Sequence, residues 1–235
     1  MIEEIAREDL LGAVDRAVAD VLAAAGVSAP PVDAVALAVQ HLGLTIRHDD
    51  RARRRTVKPD DRHEIVLPAG LSAEQTQSAV ARALGALQKP AILCGLGVPP
   101  EEQKRLLGAS LPELFAERLL VPTAWLNAEA RALDFDVLAL QRRFATAAVE
   151  VIAGRLLDLP EPCVIAIVSN DIVVSRRSNA WRVNRQLSVA ERECQRRVDL
   201  ADEPVVLRAD GWTVQGWPVP RADGKRALLR GVMDE

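Results

Sequence analysis

Apolar positions recur every three or four residues from Asp9 to Ala25 and stop at Gly26, which predicts an opening helix. Pro30 and Pro31 break the pattern, and a second helical run follows from Val32 to Leu42, ended by Gly43. The period then shortens to two. "LTIRH" and "HEIVLP", His63 to Pro68, read as short strands on either side of a charged loop, "DDRARRRTVKPDD". Helical spacing returns at Ala73. Ser72 and Gln75 have the spacing of a capping box, so a helix is predicted from Ala73 to Gln88, with "KPAILCGLGVPP" as a breaker-rich connection. Two more helices are expected at Glu101 to Leu107 and Leu111 to Leu120, the second closed by Pro122. A pair at Asp136 to Phe144 and Ala147 to Leu159, joined at Ala145-Thr146, has a helix-turn-helix rhythm.

Beyond Pro160 the pattern is that of strands. "CVIAIVSNDIVVS" predicts a hairpin on Asn170-Asp171, and "VVLRADGWTVQGWPV" a second on Asp210-Gly211. "RALLRGV" after Asp223-Gly224 reads as a last strand. The expected fold class is α+β. Residues 1–160 form a helical unit with a small sheet and a helix-turn-helix-like extension, and residues 161–235 a small β-rich domain, with the boundary near Pro160 to Pro162.

Composition narrows the functional classes. Hydrophobic residues make up 49% of the 235, enough for a core, but aromatic residues only 3%, with no Tyr. The core is therefore expected to be Leu, Val and Ala, and aromatic platforms for single-stranded nucleic acid are disfavoured. A net charge of −3 argues against a polycation. Cys94, Cys163 and Cys194 are odd in number and far apart, which argues against a disulfide framework and for a reducing, cytoplasmic setting. The acidic start "MIEEIARED" does not read as a secretion signal, and no apolar run approaches the roughly 20 residues a membrane span needs. No membrane association is expected.

Several stretches, taken in order, resemble one family. "PPVDAVALAVQHLGLTI", "HEIVLP", "AVARALGA", "LFAERLLVP" and "LALQRRFATAAVEVIAGRLLDL" are similar to the successive motifs of ImmA/IrrE-type proteins, zinc metallopeptidase-like regulators of bacteria and phage. The resemblance covers roughly residues 20 to 159 and implies a zincin-like fold there. In that family the helix at "AVARALGA" carries Ala-His-Glu-Leu-Gly-His. Two His at i and i+4 hold zinc, the Glu acts on the bound water, and a carboxylate from a later helix completes the site. Here the corresponding positions are Arg82, Ala83, Ala86 and Leu111, while Leu84 and Gly85 keep the frame and Glu113 lies nearby, out of frame. Alanine offers no lone pair and arginine only donors. The expectation is no zinc and no other cofactor. The resemblance then implies a pseudo-peptidase that binds a protein partner in transcriptional or stress regulation. Active members cleave helix-turn-helix repressors, which suggests the partner class.

Arg82, Glu113, His63 and Glu64 are the candidate groove residues. Either Arg82 takes the lost metal position and pairs with a carboxylate such as Glu113, or it is a partly exposed helix residue with its stem on the core. The strand His63 to Leu67 is the candidate edge for an extended peptide. His63-Glu64 begins like a zinc motif, but Leu67 stands where the second His is needed and Pro68 forbids a helix. A site using His63, Glu64 and Glu113 as unconventional ligands is one alternative, a zinc peptidase that cleaves a repressor. A DNA-binding regulator is another. Its face would comprise Arg142, Arg143, Arg176, Arg177, Arg182 and Arg185, with Arg155 the strong phosphate contact on the second helix. Ser175 to Arg197 carries seven Arg against Glu191 and Glu193, and Arg51, Arg53, Arg54 and Arg55 form a second basic cluster.

Overall fold

A computed structural model describes residues 6–49, 56–57, 64–103, 110–220 and 224–234. His63, Arg51, Arg53, Arg54, Arg55, Asp223 and the stretch 104–107 of the helix expected to end at Leu107 lie outside these residues. The protein is α+β, and the chain divides into two compact units, 1–128 with 142–148, and 129–141 with 149–235.

In the first unit, α1 (Arg7–Ala24), α3 (Ala73–Gly95) and α5 (Ser110–Leu120) pack together. Between α1 and α3 lie α2 (Ala34–Ala36), which runs on as a π-helical turn (Leu37–His41), and the strands β1 (Thr45–Asp49), β2 (Thr56–Val57) and β3 (Glu64–Pro68). Asp33 caps α2 by accepting from Ala36 N at 2.9 Å and also accepts from Gln77 Nε2 on α3 at 2.8 Å. Burial pushes the Asp33 carboxyl up, but these hydrogen bonds outweigh it and hold it below its ordinary value.

The small sheet has the order β1-β3-β2, with β3 parallel to β1 and antiparallel to β2. The expectation that the strand beginning at His63 is a free edge is therefore corrected. β1 pairs along the whole of β3, and β2 pairs with Ile65 and Val66 on the other side, so the centre of β3 has no free edge. Its centre, Ile65, Val66 and Leu67, is buried.

Helix α3 also departs from the pattern reading. It begins at the expected capping box, with Gln75 N donating to Ser72 Oγ at 3.1 Å and Ser72 N to Gln75 Oε1 at 2.9 Å. It then continues through Pro90 to Gly95 instead of stopping at Gln88. Proline costs one backbone hydrogen bond, but buried Ile92 and Leu93 hold the last turn down. Gly97, at φ 74°, ends the helix: its N–H reaches Cys94 O at 2.9 Å and Val98 N reaches Leu93 O at 3.0 Å, a Schellman closure. The helix expected from Glu101 is present as α4 (Pro100–Gln103). Pro122 closes α5 and also opens a helix the pattern did not predict, α6 (Thr123–Ala132), where Leu126 N donates to Pro122 O at 2.9 Å.

The second unit contains α7 (Val137–Arg143, up to residue 141), α8 (Val149–Arg155), a 3-10 turn (Leu156–Asp158) and a five-stranded antiparallel sheet. Its strands are β4 (Val164–Ser169), β5 (Ile172–Ser178), β6 (Val205–Ala209), β7 (Trp212–Pro218) and β8 (Arg226–Met233), in the order β5-β4-β8-β7-β6. Both expected hairpins are present. Asn170 and Asp171 have φ of 47° and 65°, and Asp210 and Gly211 have 54° and 72°, the paired positive values of a type I′ turn.

One face of the sheet is covered by α9 (Val189–Ala201). Ala190, Cys194 and Val198 of α9 pack on Ala166, Val168, Leu207, Val214, Ala227 and Leu229. Gly216 makes the approach close, since a Cβ there would lie 2.8 Å from both Cys194 Sγ and Val198 Cγ2. On the opposite face the Arg230 guanidinium sits 4.1 Å from the Phe135 ring centroid, and Arg226 pairs with Glu150 of α8.

Candidate functional site

The chemistry-bearing positions of the first unit lie where α3 crosses α5. Ala81, Ala83 and Leu84 are buried on the core side of α3. Gly85 sets the crossing distance: a Cβ there would meet Pro112 O at 2.8 Å and Phe115 Cβ at 2.9 Å. Gly85 therefore has a packing role in the crossing. Leu111 is buried and Ala86 is exposed.

Arg82 and Glu113 meet across this crossing. Arg82 Nη1 donates to Glu113 Oε1 at 2.9 Å, with 32% of the Arg82 side chain and 41% of the Glu113 side chain exposed. Arg82 Nε also donates to Ser78 O at 3.4 Å, one turn back on its own helix. The pair is solvent-facing, so its worth to stability is small. Glu64 is engaged elsewhere. Its Oε1 accepts from Arg47 Nε at 3.0 Å, and Arg47 Nη1 donates to Asp49 Oδ2 at 3.1 Å. The two carboxylates, Asp49 first and then Glu64, raise the Arg47 pKa.

The donor set at the crossing does not fit zinc. Arg82 brings only N–H donors, and Ala83, Ala86 and Leu111 bring no polar atom. Among the described residues, no three His, Cys, Asp or Glu side chains converge as a ligand group.

The arginines named as a nucleic-acid face fall into different environments. Arg142 and Arg143 are exposed at the end of α7. Arg155 is 2% exposed and pairs with Asp158, so the phosphate contact expected of the second helix is not on offer. No residue of α8 is exposed, which removes it as a groove-reading helix. Arg176 and Arg177 point to opposite faces of the sheet, as neighbours on a strand must. Arg176 Nε donates to both oxygens of buried Glu191, at 3.0 and 3.1 Å, and its Nη1 to Asn184 O at 3.1 Å. Arg177 lies on the helical side, its Nη2 3.3 Å from where a Cβ on Gly154 would stand. Arg182 and Arg185 are exposed in the coil before α9.

Three polar clusters were missed from sequence. Arg118, 1% exposed, donates through Nη1 to Asp15 Oδ1 and Oδ2 at 2.7 Å each and to Thr123 Oγ1 at 3.0 Å, tying α1 to α5. Its phase was a usable signal, because Arg118 follows Phe115 by three residues on the apolar stripe of α5. Asn179 donates through Nδ2 to Leu159 O at 2.8 Å and Glu161 O at 2.9 Å, and accepts from Cys163 N at 2.9 Å. Ser188 and Glu191 form a capping box that opens α9, a helix hidden in the Arg-rich stretch.

In an α+β protein, the crossing of α3 and α5 thus holds a partly exposed ion pair, Arg82 with Glu113. No family model matches the chain, and no curated protein matches it. A solved structure of a Mycobacterium tuberculosis transcriptional regulator shares the fold, with a TM-score of 0.65 at 18% identity, over 96% of this chain and 76% of that one. Among the described residues, no helix is long and apolar enough to cross a membrane.

Proposed function

We propose that this protein is a non-catalytic relative of the ImmA/IrrE-type metallopeptidases, a pseudo-peptidase that acts in regulation by holding a protein partner. The observation that carries the reading is the Arg82–Glu113 pair at 2.9 Å across α3 and α5. The cation stands where the family frame requires a metal ligand, and a guanidinium neither binds zinc nor lowers the pKa of water on it. Arg82 remains one-third exposed and can meet a carboxylate or carbonyl of a bound segment. The regulatory setting is supported by the shared fold with a transcriptional regulator. The partner class that fits is a helix-turn-helix repressor, held without cleavage.

Capture with the wild-type chain and with Arg82→Glu, followed by mass spectrometry, tests this. The expected result is a helix-turn-helix protein retained intact by the wild type and lost from the variant. Recovery of that partner with a new N-terminus in the presence of zinc would contradict the reading and restore a peptidase using His63, Glu64 and Glu113.

A further inference from the structure

The Arg-rich stretch of the second unit is left unabsorbed by the Arg82 site. Its charges separate into two groups. Arg176 is turned inward and neutralised by Glu191, and Arg177 lies on the other face of the sheet. Arg196 and Arg197 are exposed but share one carboxylate, Glu193, at 2.9 and 2.8 Å. Arg182, Arg185 and Arg192 are exposed, and among the described residues none of them forms an ion pair.

Local contacts fix the backbone that carries these residues. Arg176 Nη1 holds Asn184 O at 3.1 Å, which pins the coil just before Arg185. The capping box at Ser188 then fixes where α9 begins. On α9, Arg192 and Arg196 are four residues apart and share the outer face, away from Ala190, Cys194 and Val198, which are buried against the sheet. Trp181, half-buried, is braced edge-on against Trp212 with ring centroids 5.6 Å apart, which steadies the coil beside Arg182. Between residues 179 and 197 the exposed arginines, Arg182, Arg185, Arg192, Arg196 and Arg197, outnumber Glu193, the one carboxylate there that is not buried, on a chain whose overall charge is −3.

We propose that the coil 179–188 and the outer face of α9 form a contact surface for the phosphate backbone of nucleic acid. Guanidinium groups suit phosphate oxygens, and phosphate contacts position a protein on a duplex without reading its sequence. The contact is therefore to backbone and not to sequence. This surface is separate from Arg82, so its test and that of the pseudo-peptidase reading fail independently.

The test measures binding of the full chain to a labelled mixed-sequence duplex of about 20 base pairs by fluorescence anisotropy, between about 50 and 200 mM salt. Affinity is expected to fall linearly on a log–log plot, with a slope near −0.9 for each phosphate contacted. The variant Arg182→Ala/Arg185→Ala/Arg192→Ala removes three such contacts and should flatten the slope by about 2.7. Arg142→Ala/Arg143→Ala should leave it unchanged. All three substituted side chains are exposed, and an unaltered thermal melt confirms that the variant folds. Absence of duplex binding at low salt, or a slope the triple variant does not change, overturns the proposal. So does salt-sensitive binding to polyglutamate with none to DNA, which assigns the surface to an acidic protein.

Discussion

Arg82 and Arg118 show how one residue type serves two purposes. Arg118 is 1% exposed and its ion pair with Asp15 joins two helices, whereas Arg82 is paired at the surface. In urea titration, Arg118→Ala should lose about 3 kcal/mol, because Asp15 and Thr123 lose their buried donor. Arg82→Ala should lose no more than about 1 kcal/mol. Equal losses would mean that Arg82 is a structural residue and not one kept for a partner. Glu193 gives a prediction with a sign. Hydrogen bonds from Arg196 and Arg197 lower its pKa from 4.5 to about 2. The stabilisation it contributes is present above pH 4.5 and lost as pH falls through about 2. An NMR titration of its carboxyl carbon should show a midpoint near 2, moving up in Arg196→Ala.

Among elements, Gly85 and Gly216 are points where one helix or strand must approach another closely. A methyl at 216 meets Cys194 and Val198 at 2.8 Å, so Gly216→Ala should push α9 off the sheet and cost about 1–3 kcal/mol. A melt unchanged by that substitution would contradict the packing described. The hairpins and β3 were legible in the sequence because alternation and the Asn-Asp and Asp-Gly turns are local signals. Helix α9 was not, because its arginines masked a narrow stripe of Ala190, Cys194 and Val198. The extension of α3 through Pro90 was illegible for another reason: a proline reads as a stop unless tertiary burial of Ile92 and Leu93 is known. The paired environment of β3 was equally hidden, since a buried apolar strand looks the same at an edge or in the middle of a sheet.

At the scale of the whole molecule, the three cysteines report on both units. Cys94 is exposed, while Cys163 and Cys194 are buried. Burial pushes the Cys163 thiol up and the Cys194 thiol to about 11. A thiol reagent at neutral pH should therefore label one cysteine rapidly in the native protein and all three after unfolding. Fast reaction of a second thiol would show that the core of the second unit opens. Glu113 was named in the sequence as a carboxylate for Arg82, but the pairing itself needed the crossing of α3 and α5 to be seen.

The proposed absence of metal chemistry at this crossing is tested by zinc content. The chain is purified without chelator, loaded with Zn²⁺, dialysed and measured by elemental analysis, alongside His63→Ala and Arg82→Ala. The expected result is no stoichiometric zinc in any of the three. One zinc per chain in the wild type, lost in His63→Ala, would contradict it.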